Sequence, residues 1–167
     1  MIVGGLFCDL QKAFDCVNHN ILLRKLEFYG ITGIILKLIK SYLNDRYQKV
    51  ILNNHYNSSS NCGKIIHGVP QGSILGPLLF LLYINDLPWI TNDNTKITLF
   101  DDTNIIITNP NLTNFKKNVN NTVKDINEWF QANLLFLNWD KTHYMQFMTK
   151  NSPLIDFDIT HGKKKNS

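Results

Sequence analysis

Two apolar runs, Thr95 to Phe100 and Thr103 to Thr108, are separated by nothing but Asp101-Asp102. Two polar residues between alternating apolar stretches are the signature of a tight β-hairpin. A third carboxylate, Asp9, closes another apolar run, Met1 to Cys8, which reads as a buried strand. Carboxylates gathered where strands end are suited to hard divalent cations, which take oxygen ligands. The competing reading is that Asp is a common choice for a turn, because it tolerates turn geometry. The three residues on their own leave both readings open.

The rest of the 167 residues supplies a domain-sized core around these strands, with 44% hydrophobic and 18% charged residues. Asn20 is expected to cap a helix through Tyr29, presenting Leu22, Leu23, Leu26 and Phe28 and leaving at Gly30. A second helix is expected over about Gly33 to Leu43, burying Ile35, Leu36, Leu38, Ile39 and Leu43. Tyr47 to Leu52 and Cys62 to Val69 read as strands joined by a polar loop, and Pro70-Gln71-Gly72 as a turn before an apolar helix from Ser73 to about Asn85. Leu112, Phe115, Val119, Val123, Ile126 and Phe130 recur at helical spacing, and Leu134 to Leu137 with Tyr144 to Met148 suggest a last pair of strands. The order suits a mixed α/β (α+β) fold: a small antiparallel sheet with helices packed on one face and the carboxylates at one edge. One domain over residues 1–150 followed by a polar tail, 151–167, is the expected division.

Several functional classes are disfavoured. Cys8, Cys16 and Cys62 make no Cys-x-x-Cys pair, and the five histidines are scattered, against a disulfide framework or a structural zinc site. The start lacks the basic region of a signal peptide. The most apolar stretch, Ile74 to Ile84, is broken by Gly76-Pro77 and is about half the length that spans a bilayer, so an intracellular protein (cytoplasm or nucleus) without a membrane partner is expected. A net charge of +4 suits nucleic acid but is shared by many unrelated domains.

Read with their neighbours, the carboxylates fall into a known order. Phe7-Cys8-Asp9-Leu10-Gln11-Lys12-Ala13-Phe14-Asp15 resembles the first catalytic motif of reverse transcriptases, and the likeness runs on through Val17-Asn18-His19-Asn20-Ile21-Leu22 and Tyr29-Gly30-Ile31. Gly68-Val69-Pro70-Gln71-Gly72-Ser73-Ile74-Leu75-Gly76-Pro77 is similar to the second palm motif. Leu99-Phe100-Asp101-Asp102-Thr103 resembles the aspartate hairpin, and Trp129-Phe130-Gln131-Ala132-Asn133 with Leu137-Asn138 and Lys141-Thr142 resembles the motif that follows. The style is that of non-LTR, jockey-like retrotransposons.

The resemblance implies an RNA-directed DNA polymerase (a nucleotidyltransferase) that takes an RNA template, a DNA primer and deoxynucleoside triphosphates. It implies two Mg²⁺ ions, with Mn²⁺ as a substitute, held by Asp9 and Asp101 with support from Asp102. Leu10 would lend its main-chain carbonyl to one ion. Ala13 and Phe14 would line the nucleotide site, the Phe14 ring beneath the sugar, where a 2′-hydroxyl would collide with it. Gln71 and Gly72 would contact nucleotide and template, and Lys141 would lie near the leaving phosphate. Outside the motif, Phe14 reads equally as a core residue and Lys141 as a solvated one, while Asp15 is expected to cap its turn. Two departures from the family pattern stand out. The chain opens at the first palm motif and stops soon after the fourth, so it is read as a fragment lacking fingers and thumb. The hairpin reads Phe100-Asp101-Asp102 where the family has an alanine before the aspartates. A degenerate, inactive chain that folds and binds nucleic acid is the alternative.

Overall fold

The structure, a computed structural model, describes residues 1–52, 58–91, 95–99 and 103–148. In chain order its elements are β1 (Ile2–Cys8), α1 (His19–Phe28), α2 (Gly33–Leu43), β2 (Tyr47–Gln48), β3 (Ile51–Leu52), β4 (Ser58–Ser59), β5 (Gly63–Lys64), α3 (Leu75–Ile84), a 3₁₀ turn (Leu87–Ile90), β6 (Thr95–Leu99), β7 (Thr103–Asn109), α4 (Leu112–Ala132) and β8 (His143–Phe147). They fall into two compact units, one of residues 1–11 with 85 onwards, the other of 12–84.

The first unit is a four-stranded sheet in the order β6-β7-β1-β8, antiparallel throughout. Side chains alternate across a strand. The register Gly4↔Ile107, Leu6↔Ile105 and Cys8↔Thr103 therefore puts these six residues on one face. That face is the core, and all six are buried. Helix α4 packs on it through Phe115, Val119, Val123, Ile126 and Phe130, spaced three or four apart and all buried. Gly4 is what lets the helix come so near: a Cβ there would sit 2.8 Å from the Phe115 ring and from the Tyr144 hydroxyl. On the opposite face Met145 and Phe147 of β8 are exposed.

The C-terminal end of α4 departs from expectation. Leu134 to Leu137 form no strand, and β8 pairs with β1 rather than with them. The helix spends these residues on its own unpaired carbonyls. Asn133 N–H donates to Trp129 O, Leu135 N–H to Phe130 O, and Leu134 takes a φ of 54°. So turned, the chain meets the end of β1, where Leu137 forms a single bridge with Leu10.

In the second unit α1 is capped by Asn18, whose side chain accepts from the N–H groups of Asn20 and Ile21, and not by Asn20 as expected. Leu22 and Leu26 are buried, whereas Phe28 is exposed. Gly30, at φ 86°, takes the chain out of the helix. Helix α2 has the expected bounds, but of its five expected core residues only Leu43 is buried; Ile35 and Leu38 are 58% and 68% exposed. The two long strands expected after it are instead two short antiparallel pairs, β2 with β5 and β3 with β4. Ser73 sits before α3, accepting from Gly76 N–H while donating to Pro70 O.

Candidate functional site

Asp9 immediately follows the last residue of β1, and the sheet register leads to it. β7 begins at Thr103 opposite Cys8, and β6 ends at Leu99 opposite Thr103. Three residues separate Leu99 from Thr103, and Asp101 and Asp102 among them lie outside the described residues. The half-buried Asp9 is gripped from the far end of the chain. Its main-chain oxygen accepts from Asn138 N–H at 2.9 Å, and its Oδ2 accepts from Asn138 Nδ2, also at 2.9 Å. Gln11 N–H donates to Phe136 O at 2.9 Å, so residues 9–11 and 136–138 run side by side. Asn138 O accepts in turn from Thr142 N–H and Thr142 Oγ1, curling the chain back on itself.

That curl brings Lys141 to the rim of an open groove of about 360 Å³ lined by Phe7, Cys8, Asp9, Lys141 and His143. Asp9 and Lys141, separated by 132 positions in sequence, thus line one groove, a carboxylate and a cation. Beneath them burial pushes the Cys8 thiol up to about 12, which keeps it neutral. Among the described residues no three His, Cys, Asp or Glu side chains gather to hold a metal ion. The part of the site described here, one carboxylate in an open groove, fits a hard cation in the kind of donor it offers.

Ala13, Phe14, Gln71 and Gly72 belong to the second unit. The Phe14 ring lies 5.0 Å from the ring of Phe80, tilted by 39°, and is half-buried. Its neighbours are zipped to the turn before Gln71: Val69 N–H donates to Phe14 O and Gly68 N–H to Val17 O, both at 2.8 Å. Gln71 Nε2 donates to Asp15 Oδ1 at 3.0 Å. Asp15 closes its own turn through its main-chain N–H to Lys12 O, so its carboxylate is engaged by Gln71 and not by the local cap expected of it. Gly72 is exposed with φ 77°, a conformation glycine takes without strain. Gln71, Asp15, Arg46, Gln48 and His67 line a cavity of about 620 Å³, a size suited to a small ligand.

Sequence reasoning missed Asn138, His143 and the Arg46 cavity. Asn138 stands in a recognised motif, but nothing in the order of residues says that it will lie against position 9. His143 and Arg46 carry no local pattern at all.

Comparison with known proteins places the fold. The family model described as reverse transcriptase (RNA-dependent DNA polymerase) matches residues 3–164. The chain is 38% identical over 92 residues to the probable RNA-directed DNA polymerase from transposon BS of Drosophila melanogaster, a match covering 51% of this chain and 9% of that protein. It is 35% identical over 103 residues to the RNA-directed DNA polymerase from mobile element jockey of the same organism, covering 62% and 10%. The chain therefore spans about a tenth of the length of these relatives. Among solved structures, telomerase from Candida tropicalis in complex with a fragment of telomeric RNA superposes with a TM-score of 0.65, covering 93% of this chain and 28% of that one. At 17% identity this likeness shows the fold alone, that of a polymerase palm. A family match running from residue 3 to residue 164, with relatives from mobile elements, makes this chain a member of the reverse transcriptase family, of the non-LTR, jockey-like kind.

Proposed function

We propose that the chain is the catalytic palm of an RNA-directed DNA polymerase, with residues 1–150 forming the palm and 151–167 a tail. The reading is carried by one observation: Asp9, at the end of β1, faces an open groove shared with Lys141. In this reading Asp9, Asp101 and Asp102 hold two Mg²⁺ ions, which Mn²⁺ can replace. When bound, such ions activate the primer hydroxyl and neutralise the leaving phosphate. Lys141 would add a positive charge beside the departing pyrophosphate, where charge stabilisation contributes most to phosphoryl transfer. Phe14, braced by Phe80, would bar a ribose 2′-hydroxyl, and Gln71 and Gly72 would seat the deoxynucleotide against an RNA template. Membrane partners play no part in the reading, and among the described residues no helix is long and apolar enough to cross a bilayer.

A second reading, a chain that folds and binds nucleic acid without catalysis, is favoured by the hairpin. Only three residues join Leu99 to Thr103, one fewer than the family pattern implies. A strand advances about 3.3 Å per residue, and a misplacement of about 1 Å at a reacting centre can cost ~100-fold. The two readings separate in a fusion that places this palm between the fingers and thumb of a related enzyme, with and without an alanine inserted between Phe100 and Asp101. The insertion is expected to raise primer extension at least about tenfold. Equal and robust rates in the two forms would remove the objection from the hairpin, and inactivity of both would favour the second reading.

A further inference from the structure

We infer that Asn138 is a positioning residue for Asp9, one that fixes the direction in which Asp9 presents its carboxylate to a divalent cation. The inference rests on the proposed role of Asp9 in holding such a cation. Among the described residues, Asn138 holds Asp9 through both its main chain and its side chain. The main-chain bond, Asn138 N–H to Asp9 O at 2.9 Å, sets the backbone, and the side-chain bond, Nδ2 to Oδ2 at 2.9 Å, sets the carboxylate.

The chemistry of the pair is directional. A carboxylate only accepts hydrogen bonds, so the amide must turn its NH₂ end toward Asp9. The donated hydrogen commits Oδ2 in one direction, which makes Oδ1 the oxygen that would meet a cation. A carboxylate on the wall of an open groove otherwise rotates among several orientations, and a cation that binds it must stop that rotation. Asn138 has already stopped it. Partners of this kind, one step removed from the ion, commonly change metal affinity by ten- to a hundredfold when removed.

The local fold does not depend on the Asn138 side chain. The curl from 138 to 142 is held by the Asn138 main-chain oxygen, which accepts from Lys141 N–H, Thr142 N–H and Thr142 Oγ1. The amide reaches out of that curl to Asp9, its hydrogen-bond partner across the chain. A smaller residue at 138 therefore removes the grip on the carboxylate and leaves the turn in place.

The test is a Mn²⁺ titration of the 167-residue chain, followed by paramagnetic broadening of the backbone NMR signals of Asp9 and Leu10, with melting of the metal-free protein alongside. Asn138→Ala is expected to weaken Mn²⁺ binding about tenfold while the metal-free melting temperature moves by no more than a few degrees. If Asn138→Ala does not fold, Asn138→Ser carries the same expectation with a side chain too short to span to Oδ2. Unchanged or tighter binding in the folded variant, with binding lost in Asp9→Asn, would overturn the positioning role and leave the metal site standing. Broadening that is equally strong in Asp9→Asn would overturn the metal reading of Asp9, and the role of Asn138 with it.

Discussion

The ring of His19 is hydrogen-bonded through Nε2 to the main-chain oxygen of Gly68, 2.7 Å away, tying the first turn of α1 to the approach of the Pro70-Gln71-Gly72 turn. A carbonyl only accepts, so Nε2 is the protonated nitrogen. His19 is buried, and Gly68 has no freedom to change: its φ is 85°, and a Cβ would meet the backbone of Asp15 at 3.0 Å. Gly68→Ala should therefore cost about 1–3 kcal/mol, and His19→Ala, which strands a carbonyl, about 1–3 kcal/mol. Urea midpoints of the two variants measure this. A Gly68→Ala midpoint equal to that of the parent chain would mean the turn relaxes freely and clamps nothing.

The contact of Gln71 with Asp15 orients the Gln71 amide, since the carboxylate must take its NH₂ end. The bond is exposed and therefore modest. Asp15→Asn can present either a donor or an acceptor and would let the amide turn over. Deoxynucleotide affinity should fall about two- to fivefold, in keeping with an exposed bond of under ~1 kcal/mol, and Asp15→Asn should cost nothing further once Gln71→Ala has removed the amide. Isothermal titration on the two single variants and the double variant gives the answer, and additive losses would show that Asp15 acts by another route.

Phe14 is both packed and proposed to be selective. Its ring rests on Phe80, so Phe14→Val should cost stability of about 1–3 kcal/mol. In a fusion with fingers and thumb restored, the same change should raise ribonucleotide use relative to deoxynucleotide. An unchanged ratio with activity retained would reduce Phe14 to packing alone.

The three thiols should separate by reactivity. Cys62 is exposed, Cys16 intermediate and Cys8 buried. Burial raises the pKa of both Cys16 and Cys8, Cys8 to about 12, and a raised pKa leaves less of the reactive thiolate at neutral pH. Alkylation followed by mass spectrometry should label Cys62 first, Cys16 slowly, and Cys8 only at the rate of unfolding. Early labelling of Cys8 would mean that the end of β1 opens far more easily than its packing implies.

Much of the first unit was legible because period and burial agree there. Phe115, Val119, Val123, Ile126 and Phe130 are apolar at helical spacing and have a sheet to pack on. Helix α2 shows the limit of that signal. Ile35 and Leu38 have the spacing of a buried face yet are exposed, because periodicity reports which side of a helix is apolar and not whether anything covers it. Asn20 was a plausible cap, but Asn18 won by having an extended backbone and a side chain within reach of two free N–H groups. Leu134 to Leu137 have a strand's composition and were diverted by the carbonyls at the end of α4. In the site, Asp9 and Lys141 were readable from motifs, and the structure places both on the lining of one groove. The hold of Asn138 on Asp9 was not, because it arises from how residues 9–11 meet 136–138, a contact across 129 positions that no local pattern encodes.

The central claim is that Asp9 serves template-directed DNA synthesis. The measurement is RNA-templated primer extension by this palm fused between fingers and thumb of a related reverse transcriptase, with the alanine-inserted hairpin, comparing Asp9 with Asp9→Asn. Asparagine keeps the shape of the side chain and removes its charge, so the fold should survive while extension falls by at least about a hundredfold, as expected when a charge that stabilises phosphoryl transfer is lost. Extension by the Asp9→Asn form within about twofold of its parent would contradict the account.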